Sequence, residues 1–237
     1  MKLTFVFSLF AGLMLGTLLA HAAPDRTRPN FILIMVDDMG YGDVGFNGAK
    51  CPKTPHLDKM GADGMIFNDF YVGCAVCSGS RTALLPGCHY QPLRMNAFLF
   101  PNSGKGLHPD EVTIADMLKG AGYRTACIGK WHLGTTMQTR DGKVQGLTNV
   151  DYTKPLLVGP NDYGFDESFI LPGSLDMYPY VFVRNHEFVG KVTARKGWSA
   201  FNRVGPAAED FEDWKVLDTF ADEAEESSDE PEDAPVT

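Results

Sequence analysis

The stretch Asn30-Phe31-Ile32-Leu33-Ile34-Met35-Val36 is apolar without interruption from Phe31 and stops abruptly at Asp37-Asp38-Met39-Gly40. It has neither the period of an amphipathic helix nor the alternation of a half-wet strand. A short run of β-formers of this kind suits a strand covered on both faces, as in the parallel sheets of α/β proteins. Strand and helix signals then alternate. Thr54-Pro55 places an N-cap and a first helical residue before His56 to Asp63, and Gly64 stops that helix. Met65 to Val72 reads as a second strand and hands over to a helix at Cys77. Thr113 and Asp116 have capping-box spacing for a helix reaching Ala121, and Tyr123 to Ile128 is a third short strand. Tyr180 to Val183 and the residues after His186 read as a hairpin.

Ahead of these elements, Met1-Lys2 precedes an apolar run from Leu3 to Ala20, and His21-Ala22-Ala23 closes it with small residues. Residues 1–23 therefore read as a secretory signal peptide, which would be a membrane anchor only if left uncleaved. A secreted or periplasmic chain is expected. Disulfides are permitted there, yet Cys51, Cys74, Cys77, Cys88 and Cys127 are odd in number, so at least one thiol is left over. Residues 24–208 are enough for one domain with a core. The formal charge of −9 is unevenly placed: from Glu209 to Thr237, 13 Asp or Glu face the single Lys215, so residues 1–208 carry +3. The segment 209–237 is expected to be a disordered acidic tail. The mildly basic remainder does not repel an anionic substrate, and nothing in it suggests a nucleic-acid surface.

The chemistry-bearing residues sit where strands end. Cys77 opens a helix, with Ser78 and Ser80 beside it and Arg81 one turn on. Unpartnered N–H groups and the helix dipole favour an anion such as sulfate or phosphate there. Asp37 and Asp38 could share a hard cation at the end of the first strand, or form a plain acidic turn. Gly129-Lys130-Trp131-His132-Leu133-Gly134 ends the third strand, bringing a lysine and a histidine within reach of a bound anion and its leaving group. Cys74-Ala75-Val76-Cys77 is formally a redox motif, but no thioredoxin-like pattern surrounds it. Cys88-His89 lacks a second ligand pair for zinc, and His56 and His186 read as structural residues.

Taken together, Pro29-Asn30, Asp37-Asp38-Met39-Gly40-Tyr41-Gly42-Asp43, Thr54-Pro55-His56-Leu57-Asp58, Cys77-Ser78-Gly79-Ser80-Arg81-Thr82-Ala83-Leu84-Leu85-Pro86-Gly87 and Gly122-Tyr123-Arg124-Thr125 through Gly134 resemble the N-terminal half of a type I, formylglycine-dependent sulfatase. The resemblance extends over residues 29–185 and includes Gly164-Phe165-Asp166 and Gly173-Ser174-Leu175-Asp176. It implies an alkaline-phosphatase-like α/β fold with a mixed, mostly parallel central sheet flanked by helices. It also implies that a formylglycine-generating enzyme oxidises Cys77, and that Asp37, Asp38 and residue 77 ligate Ca²⁺. By the same resemblance Arg81 steadies residue 77, Lys130 bridges it to the sulfate, and His132 hydrogen-bonds the hydrated aldehyde. The substrate would be a sulfated carbohydrate or an aryl sulfate.

Three features depart from the family pattern. Gly79 stands where the modification signal has proline or, less often, alanine, and Pro86 stands where threonine is usual. The second Asp-Asn calcium pair, the second sulfate-binding lysine and the second histidine of the family do not appear, so the fold is expected to be truncated. The alternative to a sulfuric ester hydrolase is therefore an inactive relative that binds sulfated glycan without turnover. A phosphatase or phosphodiesterase of the same superfamily is a weaker third choice, since serine or threonine is the usual nucleophile there.

Overall fold

The computed structural model describes residues 28–229, so the expected signal peptide and residues 230–237 lie outside the described residues. Among the described residues two compact units emerge, 28–65 and 66–229.

In the first unit, helix α1 covers Pro55–Asp63 with Thr54 before it and Gly64 after it, as its end signals predict. Thr54 does not cap the helix through its side chain. Its hydroxyl oxygen instead accepts the Gly45 N–H at 2.8 Å, while Asp58 Oδ1 accepts the Phe46 N–H at 2.8 Å. These bonds tie the helix to the turn at Gly45–Asn47, and the Asn47 side-chain amide donates in turn to Tyr41 O of the turn at Tyr41–Asp43. The expected strand at 30–36 is not formed, and Phe31, Ile32, Leu33, Ile34 and Val36 are exposed. A run of β-formers becomes a buried strand only when neighbours satisfy its N–H and C=O groups and cover both faces. No strand pairs with this run among the described residues.

The second unit begins with the same outcome. Residues 66–72 form no strand, and Phe67, Phe70, Tyr71 and Val72 are exposed. Helix α2 (Cys77–Leu84) follows, then α3 (Ile114–Gly120). Asp116 N–H donates to Thr113 Oγ1 and Thr113 N–H donates to Asp116 Oδ2, which completes the expected capping box. The central sheet is mixed, with order β1-β2-β3-β4. Strands β1 (Ala126–Lys130) and β2 (Glu167–Leu171) are parallel; β3 (Val183–Arg184) pairs antiparallel with β2, and β4 (Glu187–Phe188) antiparallel with β3, as the hairpin read around Asn185-His186. A second, two-stranded sheet pairs β5 (Ala194–Lys196) with β6 (Gly205–Ala207).

Strand β2 is buried on both faces, so its alternate side chains feed two cores. Ile170 joins Trp131, Leu133, Met137, Val150, Leu156, Tyr163 and Val183. Leu171 joins Tyr180, Val181, Ala207, Ala208, Phe211 and Val216. Over residues 209–229 the second core replaces the expected disorder with structure. Val216–Asp229 is a helix, α4, in which Val216 is buried and Phe220 packs on the second core and edge-on to Phe169. One turn later Glu223 pairs with Arg184. Anchors at 216, 220 and 223 share one helix face, and that stripe offsets the repulsion of a sequence whose charge alone reads as unfolded. No described helix is long and apolar enough to cross a membrane.

Candidate active site

The site grows from two local decisions of the chain. The first is the start of α2. Val76 is extended and offers no side-chain cap, so the first-turn N–H groups receive no acceptor from it. The Ser80 N–H and hydroxyl both turn back to the Val76 carbonyl, at 2.9 and 3.1 Å, which closes the first turn. Cys77 is thereby fixed as the first helical residue, half-buried at the positive end of the helix dipole.

The second decision is how β1 ends. Beyond Lys130 the ladder to β2 continues, with Trp131 N–H donating to Leu171 O at 3.0 Å and His132 N–H to Pro172 O at 3.1 Å. Trp131 packs beside Tyr163 and Phe165, and its indole N–H donates to Gly134 O at 2.7 Å. Gly134 is at φ +88, and a Cβ there would lie 2.2 Å from Lys105 O, so only glycine fits. The loop after β1 is therefore a packed part of the core.

These two pieces bring four sequence-singled residues together. Lys130 Nζ donates to Cys77 Sγ at 3.2 Å, and Arg81 Nη1 donates to the Lys130 carbonyl at 2.6 Å. The second bond joins α2 to the end of β1 through a charge-assisted contact. His132 is 1% exposed, and its Nε2 lies 2.7 Å from Leu99 O. Burial first, and then the Lys130 charge, lower its pKa to about 4, with Arg81 adding to the effect; the Leu99 carbonyl and Asp176 oppose it. The ring is thus neutral at physiological pH. Cys127, partly covered on its surface but enclosed by protein atoms, has its pKa raised by burial to about 12 and stays a thiol.

Asp37 and Asp38 lie in the first unit, both exposed, with Asp38 at φ 58. Among the described residues no three His, Cys, Asp or Glu side chains gather as a metal shell. Two carboxylates are oxygen donors of the type Ca²⁺ takes, but far fewer than the six to eight that it collects.

Sequence reasoning noticed Ser78 and Cys74 without their contacts and missed Leu99 altogether. Ser78, fully buried, donates its hydroxyl to His132 O at 2.8 Å and accepts the Leu99 N–H at 3.0 Å. Leu99 acts only through its backbone, which leaves no mark in a residue pattern. Cys74, noticed as half of a redox motif, instead packs on Gly79: a Cβ at 79 would lie 2.6 Å from the Cys74 sulfur. None of the five cysteines is in a disulfide. The Gly164-Phe165-Asp166 motif is structural. Asp166 accepts from Lys119 at 2.6 Å and from the Thr125 N–H at 3.0 Å, locking α3 to the start of β1. Burial opposes its ionisation, but these bonds hold its pKa below the usual carboxylate value.

The chain is similar to known proteins. The sulfatase family model matches residues 29–214. Steryl-sulfatase of Mus musculus is 46% identical over 122 residues, 48% of this chain and 19% of the relative. Arylsulfatase A of Bos taurus is 47% identical over 125 residues, 52% of this chain and 24% of the relative. N-acetylgalactosamine-6-O-sulfatase of Bacteroides thetaiotaomicron is 38% identical over 165 residues, 69% of this chain and 30% of the relative. A solved structure from work on metabolism of multiple glycosaminoglycans by Bacteroides thetaiotaomicron superposes with a TM-score of 0.67 at 26% identity, covering 81% of this chain and 46% of the other. The chain thus spans less than a third of the length of these curated relatives. With the family model spanning most of the sequence and the motifs converging on one helix start and one strand end, the chain belongs to the sulfatase family.

Proposed function

We propose that this chain is a sulfuric ester hydrolase that removes sulfate from a sulfated carbohydrate or an aryl sulfate through a formylglycine derived from Cys77. The observation that carries this reading is the 3.2 Å contact from Lys130 Nζ to Cys77 Sγ at a helix start without a side-chain cap. A tetrahedral oxyanion seated there would meet the N–H groups of the first turn, the lysine ammonium and the nearby Arg81 charge. Cys77 has the position and partners that a formylglycine would need. Once made by an external formylglycine-generating enzyme, that group supplies the hydrated aldehyde oxygen as nucleophile.

The chain's own residues have separable roles in this proposal. Lys130 binds the sulfate and orients it over residue 77. Arg81 holds the Lys130 backbone, and with it the end of β1, against α2. His132, buried and held neutral, would give the hydrated aldehyde a hydrogen bond and not a charge. Among the described residues the carboxylates do not complete a calcium shell. The same reading has the protein exported to the periplasm or outside the cell.

Turnover of a chromogenic aryl sulfate by the purified chain, abolished by Cys77→Ala, is the expected result. Equal turnover by wild type and Cys77→Ala would overturn the assignment of residue 77. A second reading, sulfated-glycan binding without turnover, is favoured by the exposed, incomplete carboxylate pair at Asp37 and Asp38. Salt-sensitive binding to a sulfated glycan with no aryl sulfate hydrolysis would select it.

A further inference from the structure

Three hydrogen bonds close a ring around the start of α2. The Ser78 hydroxyl donates to the His132 carbonyl, His132 Nε2 meets the Leu99 carbonyl, and the Leu99 N–H returns to Ser78 Oγ, at 2.8, 2.7 and 3.0 Å. A carbonyl oxygen carries no proton, so the Nε2 contact is a hydrogen bond only if Nε2 bears the hydrogen. A neutral imidazole has one N–H, so Nδ1 is then left with its lone pair. Nδ1 is buried and has no hydrogen-bond partner among the described residues.

We propose that Ser78 is a positioning residue for His132, its hydroxyl placing the Leu99 peptide so that the ring is held as the Nε2–H tautomer with Nδ1 kept as a buried proton acceptor. One hydroxyl serves both ends of the arrangement. It fixes the histidine's own backbone by donating to His132 O, and it fixes the ring's partner by accepting from Leu99 N–H. Ser78 has no exposed surface, so water cannot replace the hydroxyl when it is lost. Because Ser78 follows Cys77 directly, the same bonds set the position of the helix start against Lys130 at the end of β1 and the loop after it that carries His132. What Nδ1 serves depends on the sulfatase reading; the tautomer itself does not.

The test is a long-range proton–nitrogen correlation spectrum of the ¹⁵N-histidine-labelled chain at neutral pH, with His132 identified by its loss in His132→Gln. The wild type is expected to show the Nε2–H pattern and slow exchange of the Leu99 amide. Ser78→Ala, and Ser78→Cys as a variant of similar volume with weak hydrogen bonding, are expected to mix the tautomers and speed Leu99 exchange about tenfold, the equivalent of about 1.4 kcal/mol. Ser78→Thr should restore both signatures, and Ser80→Ala should leave both unchanged. An Nδ1–H pattern in the wild type overturns the proposal even where Ser78→Ala fails to fold. Unchanged tautomer and exchange in Ser78→Cys overturn it equally. On a chromogenic aryl sulfate, Ser78→Cys should lower kcat with KM kept. The expected tautomer shift in a protein whose wild type hydrolyses nothing would uphold the positioning role and sink the sulfatase reading.

Discussion

Mild acid should destabilise this protein through His132 specifically. The side chain is 1% exposed, and its pKa falls from 6.5 to about 4 because burial, and then the Lys130 charge, disfavour the imidazolium. In the unfolded chain the ring titrates near 6.5, so below that pH the unfolded state binds the extra proton and stability falls with pH. The contribution is fully present above pH 6.5 and is lost as pH drops through about 4. With those two values the loss between pH 7 and pH 4.5 is about 2–3 kcal/mol, a large share of an ordinary domain's stability. His132→Gln keeps an amide donor for Leu99 O and removes the titration. Urea unfolding at a series of pH values, followed by the fluorescence of the buried Trp131 against exposed Trp198 and Trp214, measures the difference. The carboxylates contribute equally to both proteins, so the wild type should lose about 2–3 kcal/mol more than the variant. Parallel pH profiles would refute the argument that His132 is buried neutral.

Other perturbations test separate parts of the account. Gly79→Ala should cost about 1–3 kcal/mol by overpacking against Cys74, and Cys74→Gly in the same chain should recover most of that cost in a double-mutant unfolding cycle. Thr113→Ala should cost about 1–2 kcal/mol in urea unfolding, since its hydroxyl caps α3 and also donates to Tyr163 O at 2.7 Å. Millimolar Ca²⁺ should leave the thermal midpoint of this chain unchanged; a rise of several degrees would reveal a metal shell that the described residues do not form.

The helices were the most legible part of the sequence because their end signals are local. Thr54-Pro55 with Gly64, and Thr113 with Asp116, depend on residues a few positions apart, and both helices form where those signals place them. The Asn185-His186 hairpin and the meeting of Cys77, Arg81 and Lys130 were legible for a similar reason, since each residue sits at the end of an element that does form. Strands at 30–36 and 65–72 were not, because an apolar run states what a strand needs and not whether partners are present. Helix α4 was hidden by its own charge, its few anchoring residues being outnumbered by acidic ones. The burial of His132 and its tie through Leu99 could not be read at all, because the deciding partner is a backbone carbonyl thirty-three positions away.

The account turns on whether residue 77 becomes an aldehyde despite Gly79. The direct measurement is mass spectrometry of the tryptic peptide spanning residues 60–81, taken from the chain produced together with a formylglycine-generating enzyme and divided between hydrazide capture and thiol alkylation. The account predicts a hydrazide-reactive aldehyde at position 77. A peptide recovered wholly as the alkylated Cys77 thiol would contradict it.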